Sequence, residues 1–224
     1  MDTASFAQAG IFFVILLCSL ALHEFGHAWV ADKRGDPLPR AQKRVTLDPF
    51  SHLDPIGSFL IPGVMIFLPL LIGQTPFALI GWGRPVQISL PNPETRRTDD
   101  ILITLAGPGV NVAIALAASL AAGVAEGIGH SDVVIRLLLP IMVVNVALAA
   151  FNLIPIPPLD GSRLLRHVVN MSERTYAWLA SNGWWVLLIL INVSVTRGLF
   201  QDLLHAAVTP FLMLGNFVAG LFAA

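Results

Sequence analysis

The chain has 224 residues, and only 12% of them are Asp, Glu, Lys or Arg, about half the share of an ordinary soluble domain. Hydrophobic residues make up 55%, the mean hydropathy is +0.75 and the formal net charge is -1. These values exclude a disordered chain and a basic nucleic-acid-binding module, and the single cysteine, Cys18, excludes an intramolecular disulfide framework and a cysteine-rich zinc module.

Residues 3–22 carry no charged side chain, and neither do 101–125, 137–159, 175–196 and 206–224. A helix needs about 20 apolar residues to cross about 30 Å of hydrocarbon, so each run is read as a span. The first run lacks the basic start of a cleaved signal peptide. The stretch 55–83 is equally uncharged but is interrupted by Pro55, Pro62, Pro69 and Pro76. Proline costs about 3 kcal/mol inside a helix. A broken or re-entrant helical hairpin is therefore expected there, with protein covering its irregular backbone. Polar residues gather in three short patches, 32–54, 84–100 and 160–174. The expected fold is an all-α polytopic membrane protein, a single domain over 1–224. It has about five transmembrane helices, the hairpin and short membrane-associated strands, with a core over about 3–165 and further helices in 175–224.

The first span ends in His23-Glu24-Phe25-Gly26-His27. A spacing of four puts His23 and His27 on one helix face, a turn apart. Two imidazoles so placed can chelate one Zn²⁺, with Glu24 beside them as a general base. Three ionisable groups at the end of an apolar span are costly unless partnered. A catalytic zinc site needs a third ligand from elsewhere. His52, His130, His167 and His205 lie in polar patches or at segment ends and read as solvated or interfacial. Asp160 is the better candidate. It follows Pro155, Pro157 and Pro158, which stop the preceding helix, and precedes Gly161.

His23-Glu24-Phe25-Gly26-His27 together with Asn152-x-x-Pro155-x-x-x-Leu159-Asp160-Gly161 resembles the site-2 protease family of intramembrane zinc metalloproteases, in its short bacterial form without PDZ or CBS domains. Thr46-Leu47-Asp48-Pro49, His52-Leu53-Asp54-Pro55-Ile56-Gly57, Gly81-Trp82-Gly83-Arg84-Pro85-Val86 and Ala106-Gly107-Pro108 with Asn111 extend the likeness, which runs from about residue 20 to 165. The resemblance implies that His23, His27 and Asp160 bind one Zn²⁺. It makes Glu24 the base for a zinc-activated water, and it has Asn152 hydrogen-bond the substrate backbone or the developing oxyanion. Asn111 and Asn145 read as interhelical hydrogen-bonding groups. Tyr176, Trp184 and Trp185 read as interfacial anchors.

The expected reaction is hydrolysis of a peptide bond in or near a transmembrane segment of a membrane-protein substrate. The alternating run Val86–Leu90 could pair with the unwound substrate as an added strand. A zinc-binding transporter would spread its polar groups along the spans, and an inactive scaffold would carry a damaged motif; neither pattern is seen. A shared metal requires the first span and span 137–159 to run in the same direction. Residues 33 and 100 then lie on one side, which also carries most of the Lys and Arg. The positive-inside rule makes that side cytoplasmic and the N-terminus external, in what is expected to be a bacterial plasma membrane.

Overall fold

The computed structural model describes residues 3–73, 81–192 and 194–222. The apolar run at the start forms α1, Thr3–Lys33, which carries the His-Glu motif as expected and continues beyond His27. A short α2, Leu38–Ala41, follows. Asp54 then caps a π-helical turn, Pro55–Leu60, by accepting from the amides of Ile56 and Gly57. The turn continues as α3, Ile61–Leu71. The polar patch around residue 95 leads into α4, Arg96–Gly127. The short α5, Ser131–Val133, and a π-helical stretch open α6, Leu139–Asn152. After the proline-rich turn come α7, Asp160–Val168, α8, Glu173–Asn192, and α9, Ser194–Gly220.

Four described helices are long and apolar enough to cross a membrane: Thr3–Lys33, Arg96–Gly127, Ser131–Asn152 and Gly198–Gly220. The expected fifth span, 175–196, falls on α8 and the start of α9. The first half of α8 carries Tyr176, Ser181 and Asn182, and this dilutes the apolar run that begins at Val186. The expected span 137–159 stops at Asn152, because the prolines that follow cannot extend a helix.

Helix α4 is the hub and packs on α1, α6 and α9. Ala115 and Ala118 of α4 are buried against Met142 and Val146 of α6, with Val208 and Phe211 of α9 closing over them. Small residues let the backbones approach closely, as is usual between membrane helices. A Cβ on Gly123 would stand 2.4 Å from the carbonyl oxygen of Gly215 in α9, so glycine is required at that crossing. The α1–α4 crossing is also tight. A Cβ on Gly26 would meet the Ala106 carbonyl oxygen at 2.9 Å.

The stretch 55–83 leaves and returns to one place, although residues 74–80 lie outside the described set. Trp82 N donates to the Gly57 carbonyl at 3.1 Å, Arg84 N donates to the His52 carbonyl at 2.8 Å, and Leu53 and Gly83 form an isolated antiparallel bridge. Among the described residues strand pairing is limited to that bridge, and there is no sheet. The run Val86–Leu90 has no ladder partner. Instead Asp36 takes its amides: Ser89 N at 2.5 Å and Leu90 N at 3.2 Å donate to Oδ2, and the Ser89 hydroxyl donates to Oδ1 at 2.7 Å. Burial acts against the charge of Asp36, but these bonds and one from Leu38 N outweigh it and hold the carboxyl below its ordinary pKa.

Candidate metal centre

Gly26 brings the face of α1 that carries His23 and His27 against α4, and both histidines are buried. Their Nε2 atoms lie 3.1 Å apart. The third group comes from a segment distant in sequence, just after α6, which itself packs on α1. After α6 the chain turns back on itself through Leu153–Leu159, and α7 starts at Asp160. Gly161 makes this reversal possible, because a Cβ there would stand 2.2 Å from the Leu153 carbonyl oxygen. The reversal sets Asp160 Oδ2 at 3.1 Å from His23 Nε2 and 3.2 Å from His27 Nε2. Among the described residues these three form the group able to share a metal ion.

The protonation of the two imidazoles follows from their other nitrogens. His27 Nδ1 lies 2.6 Å from the Ile103 carbonyl oxygen, which can only accept, so Nδ1 carries the proton. His23 Nδ1 lies 2.6 Å from Asn111 Oδ1, likewise an acceptor. In the neutral rings both Nε2 atoms are therefore bare lone pairs. They face each other and a carboxylate oxygen, Asp160 Oδ2, that is buried without a hydrogen-bond partner. Three electron-rich atoms in a near-equilateral triangle repel one another unless a cation lies between them. Donors bound tetrahedrally at about 2.0–2.1 Å lie roughly 3.3–3.4 Å apart. The triangle of two imidazole nitrogens and one carboxylate oxygen fits zinc in size and in donor type. Backbone shape adds to the fit, since a Cβ on Gly107 of α4 would stand 2.3 Å from His27 Nε2 and 2.7 Å from His23 Nε2.

Glu24 projects beside this triangle, against the returning end of the 55–83 excursion. A Cβ on Gly83 would stand 2.8 Å from Glu24 Oε1. Asn152 is in the last turn of α6 and donates from Nδ2 to its own helix at the Leu148 carbonyl, 2.9 Å away. The sequence did not point to Asn111 or the Ile103 carbonyl as partners of the histidines. The signal was present for Asn111, which lies four residues after Gly107 and so on the same face of α4. Of the other histidines, His52 differs from its solvated reading. It is fully buried, its Nε2 lies 2.8 Å from the Thr46 carbonyl, and burial pushes its pKa below the usual histidine value. His167 pairs with Asp100 at 2.7 Å, and His130 and His205 are exposed.

The model of Peptidase family M50 matches residues 123–191. The chain is 31% identical over 208 residues to "Putative zinc metalloprotease YwhC" of Bacillus subtilis, covering 90% of this chain and 89% of that protein. It is 31% identical over 215 residues to "Putative zinc metalloprotease Rip2" of Mycobacterium tuberculosis, covering 89% of this chain and 74% of that protein. The Rip2 protein of Mycolicibacterium smegmatis is 29% identical over 204 residues, which cover 86% of this chain and 71% of that protein. No solved structure matches. With most of its length aligned to these relatives, the chain belongs to peptidase family M50, the site-2 protease family of metalloproteases.

Proposed function

We propose that the chain is an intramembrane zinc metalloprotease that hydrolyses peptide bonds within or next to transmembrane segments of other membrane proteins. The observation that carries this reading is the triangle of His23 Nε2, His27 Nε2 and Asp160 Oδ2, with both imidazole protons turned away from it. These three atoms would hold one zinc ion. When bound, zinc supplies Lewis acidity, which polarises the scissile carbonyl and acidifies the attacking water. Glu24 takes the proton of that water and returns it to the leaving amine. Beyond its bond to Leu148, Asn152 keeps a second N–H, which donates to the oxyanion or a substrate carbonyl, and an amide oxygen, which accepts from a substrate N–H. A substrate helix must unwind to be cut, and its freed backbone groups need partners. The run Val86–Leu90 supplies part of them, through the backbone groups that Asp36 leaves free. The site faces the cytoplasmic side of a bacterial plasma membrane.

The test is made on purified protein in detergent, by metal analysis and by cleavage of a model transmembrane substrate. The wild type carries one zinc per chain and cuts. Glu24→Gln keeps the zinc and loses cleavage by at least about 100-fold, the scale of a general base. Asp160→Asn loses both. Near-normal turnover by Glu24→Gln would overturn the mechanism, and full zinc occupancy in Asp160→Asn would remove Asp160 from the ligand set.

A further inference from the structure

The two buried asparagines form a directed chain that ends on the metal-facing imidazole. Asn145 of α6 donates from Nδ2 to the Ile141 carbonyl at 2.8 Å and to the Ser19 hydroxyl oxygen at 2.9 Å. A carbonyl only accepts, so Ile141 fixes which end of the Asn145 amide is nitrogen. Asn145 Oδ1 is then the acceptor for Asn111 Nδ2, 2.8 Å away. That fixes Asn111 in turn, and its Oδ1 is left facing His23 Nδ1 at 2.6 Å. Both asparagines are 0% exposed, so no water competes for these positions. An Asn111 amide turned over would present NH₂ to Nδ1 and drive the ring proton to Nε2, the atom that faces His27 and Asp160.

We propose that Asn145, acting through Asn111, sets the tautomer of His23 and thereby its readiness to bind metal. Both are positioning residues, and the inference rests on the metalloprotease reading of the site. Without Asn145, the Nδ2 of Asn111 keeps only the Ser19 carbonyl, at 3.4 Å, to hold its orientation. The outer partners of metal-bound histidines typically govern about 10–100-fold in metal affinity. An aspartate at position 111 offers His23 an acceptor whichever way it turns. Its other oxygen would meet Asn145 Oδ1 as acceptor against acceptor, so in that background His23 should gain nothing from Asn145.

The experiment measures zinc affinity by competition with a chelator, and the His23 tautomer by ¹⁵N NMR of the metal-free protein in micelles. The wild type is expected to show the proton on Nδ1. Asn111→Leu is expected to bind zinc about 10–100-fold more weakly and Asn145→Leu about tenfold more weakly, with the His23 signals shifted toward the Nε2–H form. In an Asn111→Asp background, adding Asn145→Leu is expected to cost no affinity and leave the proton on Nδ1. Equal weakening by Asn145→Leu in both backgrounds would show that Asn145 acts by packing alone and would overturn the proposal. An unchanged tautomer in Asn145→Leu would do the same. A wild-type chain that binds no zinc would instead defeat the metalloprotease reading, and the tautomer measurement would still decide the relay.

Discussion

Gly107 of α4 lies directly behind His27 of α1, so close that a Cβ would stand 2.3 Å from the imidazole Nε2 and 2.6 Å from Cε1. The same Cβ would approach His23 Nε2 to 2.7 Å, so no side chain fits on this wall of the triangle. Gly107→Ala should therefore swing both rings away from Asp160. Alanine also favours the helix by about 1 kcal/mol over glycine, so the loss should not come from the helix itself. The expected result is a purified Gly107→Ala protein with far less than one zinc per chain. Gly109→Ala is the control, because a Cβ there meets nothing within 4 Å. Equal zinc content in the two variants would show that the rings are free to move aside.

Adjacent carboxylates at the start of α4 tie down the two elements that bear the metal triangle. Asp99 accepts from Arg34 Nε at 2.5 Å, just past the end of α1, and from the Thr95 hydroxyl at 2.6 Å. Asp100 pairs with Arg163 and with His167, both on α7, whose first residue is Asp160. Asp99 and Asp100 are both buried. Breaking a buried pair from one side costs roughly 3–5 kcal/mol. Arg163 is partly exposed and can reach water, so about 2 kcal/mol is expected for Asp100→Asn. The variant should melt earlier and release zinc faster, because α7 is less firmly seated. Unfolding followed by tryptophan fluorescence, with metal release to a chelator, measures both. A normal release rate would show that Asp160 is placed without help from α7.

Asp36 makes the segment after the excursion sensitive to acid. Its folded pKa is lowered, so its contribution is fully present above the unfolded value of about 3.9 and is lost as pH falls toward the folded one. Protection of the Ser89 and Leu90 amides from hydrogen exchange, corrected for intrinsic rate, should drop across that acidic window. In Asp36→Asn protection should be lower already at neutral pH and flat through the window. A wild-type profile that is also flat would show that other contacts hold residues 84–90.

The local half of the centre was legible in the sequence because helix geometry is local. The spacing of four from His23 to His27 fixes their shared face wherever the helix goes. Asp160 stood out as the carboxylate just past a proline-stopped span, and the family resemblance joined it to the two histidines. What stayed hidden came through packing between distant segments. No spacing rule pairs His27 with the Ile103 carbonyl, or links Asn145 to His23 through Asn111. No alternation in Val86–Leu90 could show that a single carboxylate, Asp36, takes the amides of Ser89 and Leu90 at its end. Trp184 read as an interfacial anchor, yet it is half-buried with its ring edge-on to Trp82, 5.1 Å between centroids. Trp82 is itself wedged against Gly57, where a Cβ would stand 2.3 Å from the indole. Tyr176 shares its hydroxyl with Ser162 at 3.1 Å and lies under Arg166, tying α8 to α7.

The last prediction concerns the path of the chain through the bilayer: between residues 33 and 100 it crosses an even number of times. His23 and His27 lie near the C-terminal end of α1, and Asp160 lies past the C-terminal end of α6. Their contact at 3.1 and 3.2 Å puts those two ends at one depth on one side. Helix α4 runs opposite to α6, so its start near residue 100 is on the same side as residue 33. The bond from Trp82 N to the Gly57 carbonyl agrees, because it brings the chain back to where the excursion began. Most of the 13 Lys and Arg residues, among them Lys33, Arg34, Arg96, Arg97, Arg163 and Arg166, are then expected on this shared side, which the positive-inside rule would make cytoplasmic. The check is thiol accessibility in cells. Cys18 is exchanged for Ser, and single cysteines are placed at Ser51, Thr95 and Ser131. An impermeant reagent added from outside should label only position 131. Labelling at 95 without labelling at 51 would mean an odd number of crossings. The ends of α1 and α6 would then lie on opposite faces, and the triangle of His23, His27 and Asp160 could not form.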